Sequence, residues 1–337
     1  MGKFVCFGEI MARLNPPGYL RLVQTQQLEI TYAGGEANVA VSLANFGKNA
    51  VFVTRLPDND LTKAAMRRLR GFGVDISGIA IGGDRMGIYF VEKGASQRAS
   101  KVLYDRKYSA IARAQPSDFD WDGIFEETEW FHFTGITPAL SDNAAQICLE
   151  ACKKAKEKGI VVSCDLNYRN KLWTGSKAGT VMGELMEYVD VAIANEEDCE
   201  KVFGIKASGT DVTGGMLSKE GYGEVARTLA ERFSIPTVAI TLRGSISAND
   251  NHWAGMLYQK EKCYFSREYL IHIVDRVGGG DSFGGGLIYA LSSGFEPQKA
   301  IDFAVAASCL KHTVEFDFNE VTIEAVSYTH LRAHETV

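Results

Sequence analysis

The chain lacks most of the features that would assign it to a specialised class. It has no C-x-x-C pair, and its seven cysteines (residues 6, 148, 152, 164, 199, 263 and 309) are an odd number. Several lie inside apolar runs, such as Phe4-Val5-Cys6-Phe7, so buried reduced thiols are expected rather than disulfides or a zinc site. No stretch approaches the length of a membrane span, and the N-terminus enters an apolar strand without a basic leader. Met1-Gly2 does not predict myristoylation, because Cys6 stands where a Ser or Thr is required. A cytoplasmic protein is expected. An excess of positive charge is also missing: the formal net charge is −6, which predicts neither a nucleic-acid nor a membrane partner. The sequence holds no G-x-x-x-x-G-K-[ST], no G-x-G-x-x-G after a first strand and no H-R-D or D-F-G set. P-loop enzymes, dinucleotide-dependent dehydrogenases and protein kinases are thereby disfavoured.

What is present is ordinary for a globular enzyme, with 337 residues, 46% hydrophobic and 23% charged. Short β-branched or aromatic runs alternate with helical patterns. Strands are predicted at Phe4–Gly8, Val51–Leu56, Trp130–Phe133, Ile160–Asp165, Val189–Ala194 and Thr237–Leu242. Helices are predicted at Asn38–Phe46, Thr62–Phe72, Asn143–Lys158, Tyr222–Phe233 and Asp281–Ser293. This alternation predicts an α/β fold of three layers with a mostly parallel central sheet, whose ligands bind beyond the carboxyl ends of the strands. Two segments, residues 10–33 and 87–108, read as strand and turn without a helix, and are expected to pair as a small β-sheet lid over that end.

The most informative local pattern is Asp275-Arg276-Val277-Gly278-Gly279-Gly280-Asp281-Ser282-Phe283, entering an apolar helix. A glycine triplet before a helix leaves backbone amides free to face an anion, and the helix dipole adds positive potential there. A carboxylate is an unfavourable neighbour for phosphate, so Asp281 is either a helix cap or a general base that takes a proton from an attacking hydroxyl.

This segment resembles the second signature of the ribokinase-like (PfkB) carbohydrate kinases. Ala33-Gly34-Gly35-Glu36-Ala37-Asn38-Val39-Ala40, continuing to Gly47, resembles their first. The resemblance spans the whole chain and implies a single ribokinase-like domain over residues 1–325, using ATP and Mg²⁺ and admitting a monovalent cation. It implies that Asp281 is the catalytic base and that the backbone of Gly278, Gly279 and Gly280 stabilises charge on the transferring phosphoryl group. On the nucleotide side it implies roles for Asn195, for Glu197 on the metal through water, and for Thr241, Arg243 and Gly244. The small-residue face around Ala307 is implied to receive adenine. The bland alternative at Asn195-Glu196-Glu197 is an acid-decorated helix start.

On the sugar side, the amides of Gly34 and Gly35 and the side chain of Asn38 are placed to meet substrate hydroxyls. Arg106 follows one lid strand and Arg169 follows the strand ending at Cys164. Two arginines reaching one site suit a carboxylate, although surface arginines in ordinary ion pairs are the commoner case. Gly87-Ile88-Tyr89-Phe90, Tyr104-Asp105-Arg106, Asp165-Leu166-Asn167-Tyr168-Arg169 and Leu310-Lys311-His312 resemble the 2-keto-3-deoxygluconate kinase subgroup. There the tyrosines at the positions of Tyr89 and Tyr104 contact substrate and the arginines hold its carboxylate. The implied reaction is phosphorylation of the 6-hydroxyl of 2-keto-3-deoxygluconate. A fructokinase or another ribokinase-like sugar or nucleoside kinase would share Asp281 without needing both arginines. A non-catalytic sugar-binding regulator on the same scaffold is the alternative from another class. A polar lid sheet with exposed edges would offer a contact for a homodimer or a higher homo-oligomer.

Two departures complete the reading. Relatives commonly carry glycine after the Lys-His-Thr segment, where this chain has Glu315-Phe316-Asp317. Residues 326–337 read as a non-native tail, resembling the conceptual translation of a sequencing adapter joined near Ala325. His330, His334 and Glu335 are therefore assigned no function despite their metal-like spacing.

Overall fold

The first strand shows how the fold is assembled. Phe4 and Cys6 enter one buried cluster while Val5 and Phe7 enter another. Side chains alternate across a strand, so both faces of this sheet must be covered. The computed structural model describes residues 2–207 and 218–332. Its strands are β1 (Lys3–Phe7), β2 (Met11–Asn15), β3 (Glu29–Ala33), β4 (Asn49–Leu56), β5 (Ile79–Ile81), β6 (Gly87–Glu92), β7 (Lys101–Asp105), β8 (Thr128–Thr134), β9 (Val161–Asp165), β10 (Val191–Ala194), β11 (Thr237–Ser245), β12 (Asp250–Gln259), β13 (Lys262–Phe265) and β14 (Tyr269–His272). Its helices are α1 (Gly35–Asn45), α2 (Asp60–Gly71), α3 (Trp121–Ile124), α4 (Ile136–Ala139), α5 (Asp142–Glu157), α6 (Gly175–Met186), α7 (Glu196–Phe203), α8 (Lys219–Phe233), α9 (Gly279–Ser292), α10 (Pro297–Lys311) and α11 (Ile323–Arg332).

The large sheet runs β13-β12-β11-β10-β9-β8-β1-β4-β5, with β14 also on β12. From β11 to β5 every pairing is parallel, and β12 to β14 add an antiparallel end. Strand order reverses around β1, which opens a crevice at the carboxyl ends, where this architecture binds ligands. The predicted strands and helices fall on β1, β4, β8, β9, β10, β11, α1, α2, α5, α8 and α9, with ends shifted by a few residues. The antiparallel end was not anticipated. Its longest strand opens on Asp250-Asn251, residues that read as turn formers, and it is held by pairing on both sides rather than by a strongly apolar sequence.

A second sheet, β3-β2-β6-β7, stands apart. Residues 10–33 supply β2 and β3, and residues 87–108 supply β6 and β7. Its inner face carries Met11, Tyr89 and Val91. The outer face is not the polar surface expected, since Ile30 is 48% exposed and Leu103 41%.

Helices α9 and α10 pack closely because Gly286 leaves room: a Cβ there would lie 3.1 Å from the Cβ of Ala307. Helix α11 adds Val326, fully buried, to the same core. A residue of the tail is thus packed, while His334 and Glu335 lie outside the described residues.

Candidate active site

A cavity of about 650 Å³ opens at the carboxyl ends of the parallel strands, beneath the small sheet. It gathers residues from distant parts of the chain, including Gly34, Gly35, Asn38, Tyr89, Tyr104, Arg106, Arg169, Asn195, Glu197, Thr241, Arg243, Gly278, Gly280 and Asp281.

The glycine turn explains itself residue by residue. Gly278 caps α9 with φ +85°, and a Cβ there would lie 2.1 Å from the carbonyl oxygen of Asp317. Only glycine satisfies both the left-handed conformation and the contact. A Cβ on Gly279 would lie 2.4 Å from the His312 ring, whereas one on Gly280 would meet nothing and project into the cavity. The amide of Gly279 donates to Arg276 (3.3 Å), while first-turn amides such as those of Gly280 and Asp281 have no partner within a helix. Asp281 is therefore not the cap; it is the third residue of α9. Its Oδ2 accepts from Nδ2 of Asn38 at 2.6 Å, and the Oδ1 of Asn38 accepts from the amide of Gly34 at 3.3 Å. Burial raises the pKa of Asp281 to about 6, against the lowering effect of the Asn38 bond. Arg169 and Lys311 lower it further and Asp317 raises it. The result is a carboxylate near neutrality, open to the cavity and fixed in direction.

Carboxylates converge beside it. Asp165 ends β9, and burial, then the charges of Asp198 and Asp281, push its pKa well above the ordinary value. Asp198 was not singled out in the sequence. Its amide donates to Oδ1 of Asn195 at 2.7 Å and its Oδ2 accepts from Nδ2 of Asn195 at 3.0 Å. The side chain of Asn195 is thus engaged as the cap of α7, and the residue also lines the cavity. Glu197 lines the cavity with an exposed side chain. Among the described residues no three His, Cys, Asp or Glu side chains form a direct metal site. Asp165, Glu197 and Asp198 all line the cavity, and carboxylate oxygens of this kind fit Mg²⁺, which keeps much of its water shell.

On the opposite wall Arg106 is 8% exposed and is already paired. Its Nε donates to Oε2 of Glu9 at 2.7 Å, its Nη2 donates to the same oxygen, and Ser109 Oγ donates to Oε1 of Glu9 at 2.6 Å. The expected pair of arginines on one carboxylate is therefore modified: one edge of the Arg106 fork is held by Glu9, which also cancels its charge. Arg169, exposed and donating to the Tyr168 carbonyl at 2.9 Å, makes no ion pair among the described residues, though its charge lowers the pKa of Asp281 and Asp165. Tyr89 gives its hydroxyl to Oδ2 of Asp317 (2.8 Å) and stacks on Tyr104, with ring centroids 6.0 Å apart. Glu36, beside Gly35, is buried and accepts from the amide and hydroxyl of Thr134 and the hydroxyl of Thr137, which fixes the start of α1 against β8. Burial raises its pKa to about 7 despite those bonds.

Behind this wall Arg13, fully buried, joins Oδ2 of Asp275 (2.5 Å) and Oδ1 of Asp317 (2.6 Å). No sequence pattern announced this pairing, which links residues more than 260 apart in the chain. Phe316 holds φ +64° and stays out of the cavity, with the guanidinium of Arg13 5.5 Å from its ring centre. Two nucleotide-side residues are not brought to the cavity. Gly244 sits within β11 opposite His252. Ala307 is fully buried against Gly286, its carbonyl accepting from Ser282 Oγ. Trp253 and His312, with ring centres 5.0 Å apart, supply an aromatic wall that the sequence reading missed.

A family model described as pfkB family carbohydrate kinase matches residues 1–315. The crystal structure of 2-dehydro-3-deoxygluconokinase from Thermotoga maritima superposes with a TM-score of 0.95 at 52% identity, covering 98% of each chain. The 2-dehydro-3-deoxygalactonokinase of Haloferax volcanii is 34% identical over 324 residues, 96% of this chain and 95% of that protein. The 2-dehydro-3-deoxygluconokinase of Thermoproteus tenax is 28% identical over 316 residues, 92% of this chain and 88% of that one. The chain belongs to the pfkB family of carbohydrate kinases. It is an ATP-dependent sugar kinase, with the three-layer fold that its relatives share.

Proposed function

We propose that the chain phosphorylates the 6-hydroxyl of 2-keto-3-deoxygluconate (2-dehydro-3-deoxygluconate), giving 2-keto-3-deoxy-6-phosphogluconate and ADP. The observation that carries the reading is Asp281, held by Asn38 at the first turn of α9, in a cavity that Arg106 and Arg169 also line. Relatives named for this substrate and for its galactonate counterpart support it.

Asp281 accepts the proton of the 6-hydroxyl as that oxygen bonds to the γ-phosphorus. The bond from phosphorus to the β,γ-bridging oxygen breaks, and ADP leaves with its electron pair. A carboxyl near pKa 6 is ionised often enough to act at pH 7 and basic enough to help. Amides at Gly280 and Asp281, reinforced by the dipole of α9, face the negative charge spread over the phosphoryl oxygens. Mg²⁺ supplies neutralisation of phosphate charge, and Asp165, Asp198, Glu197 and Asn195 line the part of the cavity that would hold its water shell. Thr241 and Arg243 line the nucleotide side. Arg169 gives the substrate carboxylate its charge partner, and Arg106, aimed by Glu9, gives it a directed donor; Tyr104 and the Gly34 and Gly35 amides contact the sugar. The chain works in the cytoplasm, where its seven free thiols stay reduced, and pairs as a homodimer through the outer face of the small sheet.

The test is ADP release from Mg-ATP with 2-keto-3-deoxygluconate, its C4 epimer, fructose, ribose and adenosine. Selectivity for the keto-acids is expected, with Asp281→Ala lowering turnover about a thousandfold. Arg169→Gln should raise KM for the keto-acid by about tenfold or more and leave neutral sugars unaffected. A preference for fructose that survives Arg169→Gln would overturn the substrate assignment while leaving the kinase.

A further inference from the structure

Lys311, the last residue of α10, has no exposed surface. Among the described residues its ammonium makes no hydrogen bond to a carboxylate; it donates to backbone carbonyls, that of Asp275 at 3.1 Å and that of Val314 at 3.5 Å. The neighbouring carboxylates are already engaged. Asp275 is held by Arg13 and by the amide of Val277 (3.1 Å), and Asp317 by Arg13 and by the hydroxyl of Tyr89. Arg13 gives these two enclosed acids one positive charge, and Lys311 gives the second through space rather than by a direct hydrogen bond, leaving the ammonium itself seated on carbonyls. Its two carbonyl partners belong to the segments that bracket the glycine turn, one entering it at Asp275 and the other leading to Asp317, whose carbonyl abuts Gly278. Burial lowers the pKa of Lys311, while Asp275 and Asp317 raise it, and its charge in turn lowers the pKa of Asp281. A cation lodged among backbone carbonyls has the surroundings of a bound monovalent ion, except that this one is covalently attached.

We propose that the Lys311 ammonium is a built-in cation beneath the glycine turn, holding Gly278–Asp281 in shape and adding fixed positive potential under the phosphoryl site, so that the enzyme needs no K⁺ or Na⁺. Lys311 is a positioning residue and touches neither Asp281 nor substrate. The inference rests on the kinase reading, but part of its test does not.

Two variants are compared with the wild type: Lys311→Ala, which leaves room for an ion, and Lys311→Met, which fills the space without charge. Each is measured in K⁺, NH₄⁺ and choline chloride at equal ionic strength. Thermal unfolding of the substrate-free protein is read first and is independent of substrate identity. The wild type should unfold at one temperature in all three salts, and Lys311→Ala should be stabilised by K⁺ or NH₄⁺ relative to choline. In turnover with the keto-acid, the wild type should ignore the salt, and both variants should lose about 10- to 100-fold in kcat in choline. NH₄⁺ or K⁺ should restore Lys311→Ala but not Lys311→Met. The acidic limb of kcat/KM should move to higher pH in Lys311→Met, a shift that loss of packing alone would not give. A wild type stabilised or activated by K⁺, or variants retaining kcat within about twofold in choline, overturns the proposal. A misassigned substrate would appear differently, as a wild-type protein silent with the keto-acid in every salt yet unchanged in its ion-independent unfolding.

Discussion

Asp281 and Asn38 make the sharpest case at the scale of single residues. As a base Asp281 must be ionised, so kcat/KM should rise with pH through about 6, the value to which burial raises its pKa. Asn38→Ala removes the bond that lowers it, and the acidic limb should move upward; a limb that stays in place would remove Asn38 from the assignment. The same shift carries a consequence for stability. A carboxyl whose folded pKa lies above its unfolded value favours the fold while protonated, and that contribution is lost as pH rises through the folded pKa. Asp281→Asn should therefore be more stable than the wild type above about pH 6, by about 1–2 kcal/mol once screening by cavity water is allowed for, with the gain gone near pH 4. Urea titrations across that range measure it. The glycine turn was legible in the sequence because three glycines before an apolar helix leave amides free. The pattern alone left Asp281 between cap and base, and the resemblance to the carbohydrate kinases chose the base. The partner of the Asp281 carboxylate was not legible, since Asn38 lies 243 residues away.

Between elements, the small sheet is fastened to the glycine turn by Arg13, which comes from β2 and meets Asp275 before α9 and Asp317 after α10. Tyr89 of β6 reaches the same Asp317. Arg13→Met removes the hydrogen-bonded cation of two enclosed carboxylates, leaving them only the charge of Lys311, and should cost about 3–5 kcal/mol in urea unfolding; a loss under about 1 kcal/mol would mean that water reaches the acids and relieves them. The elements themselves were largely readable, because parallel strands and amphipathic helices declare themselves by period. Arg13 was not, since a lone arginine in a short strand reads as an exposed side chain until its partners are known. Arg106 teaches the same lesson in reverse. Its position near a sugar site was anticipated, but its engagement by Glu9, which follows β1, depends on two strands from different sheets meeting.

Over the whole molecule, the outer face of the small sheet is the surface that most needs a partner. Leu28, Ile30 and Leu103 are each at least 40% exposed there, and an open apolar sheet face favours association. Sedimentation should find a dimer for the wild type and a monomer for the Ile30→Glu, Leu103→Glu double variant. A monomeric wild type would sink the homodimer. Sequence by itself determined the layered α/β plan, the pairing of the two irregular segments, and the glycine turn with its acid, because these depend on periodicity and on local backbone freedom. The carboxylates gathered around Asp281, the engagement of Arg106 and Tyr89, the withdrawal of Ala307 into the core and the enclosure of Lys311 were decided only by the tertiary structure. Each turns on which distant side chain occupies the one space left beside it, and on whether a charge, once enclosed, finds its counterpart.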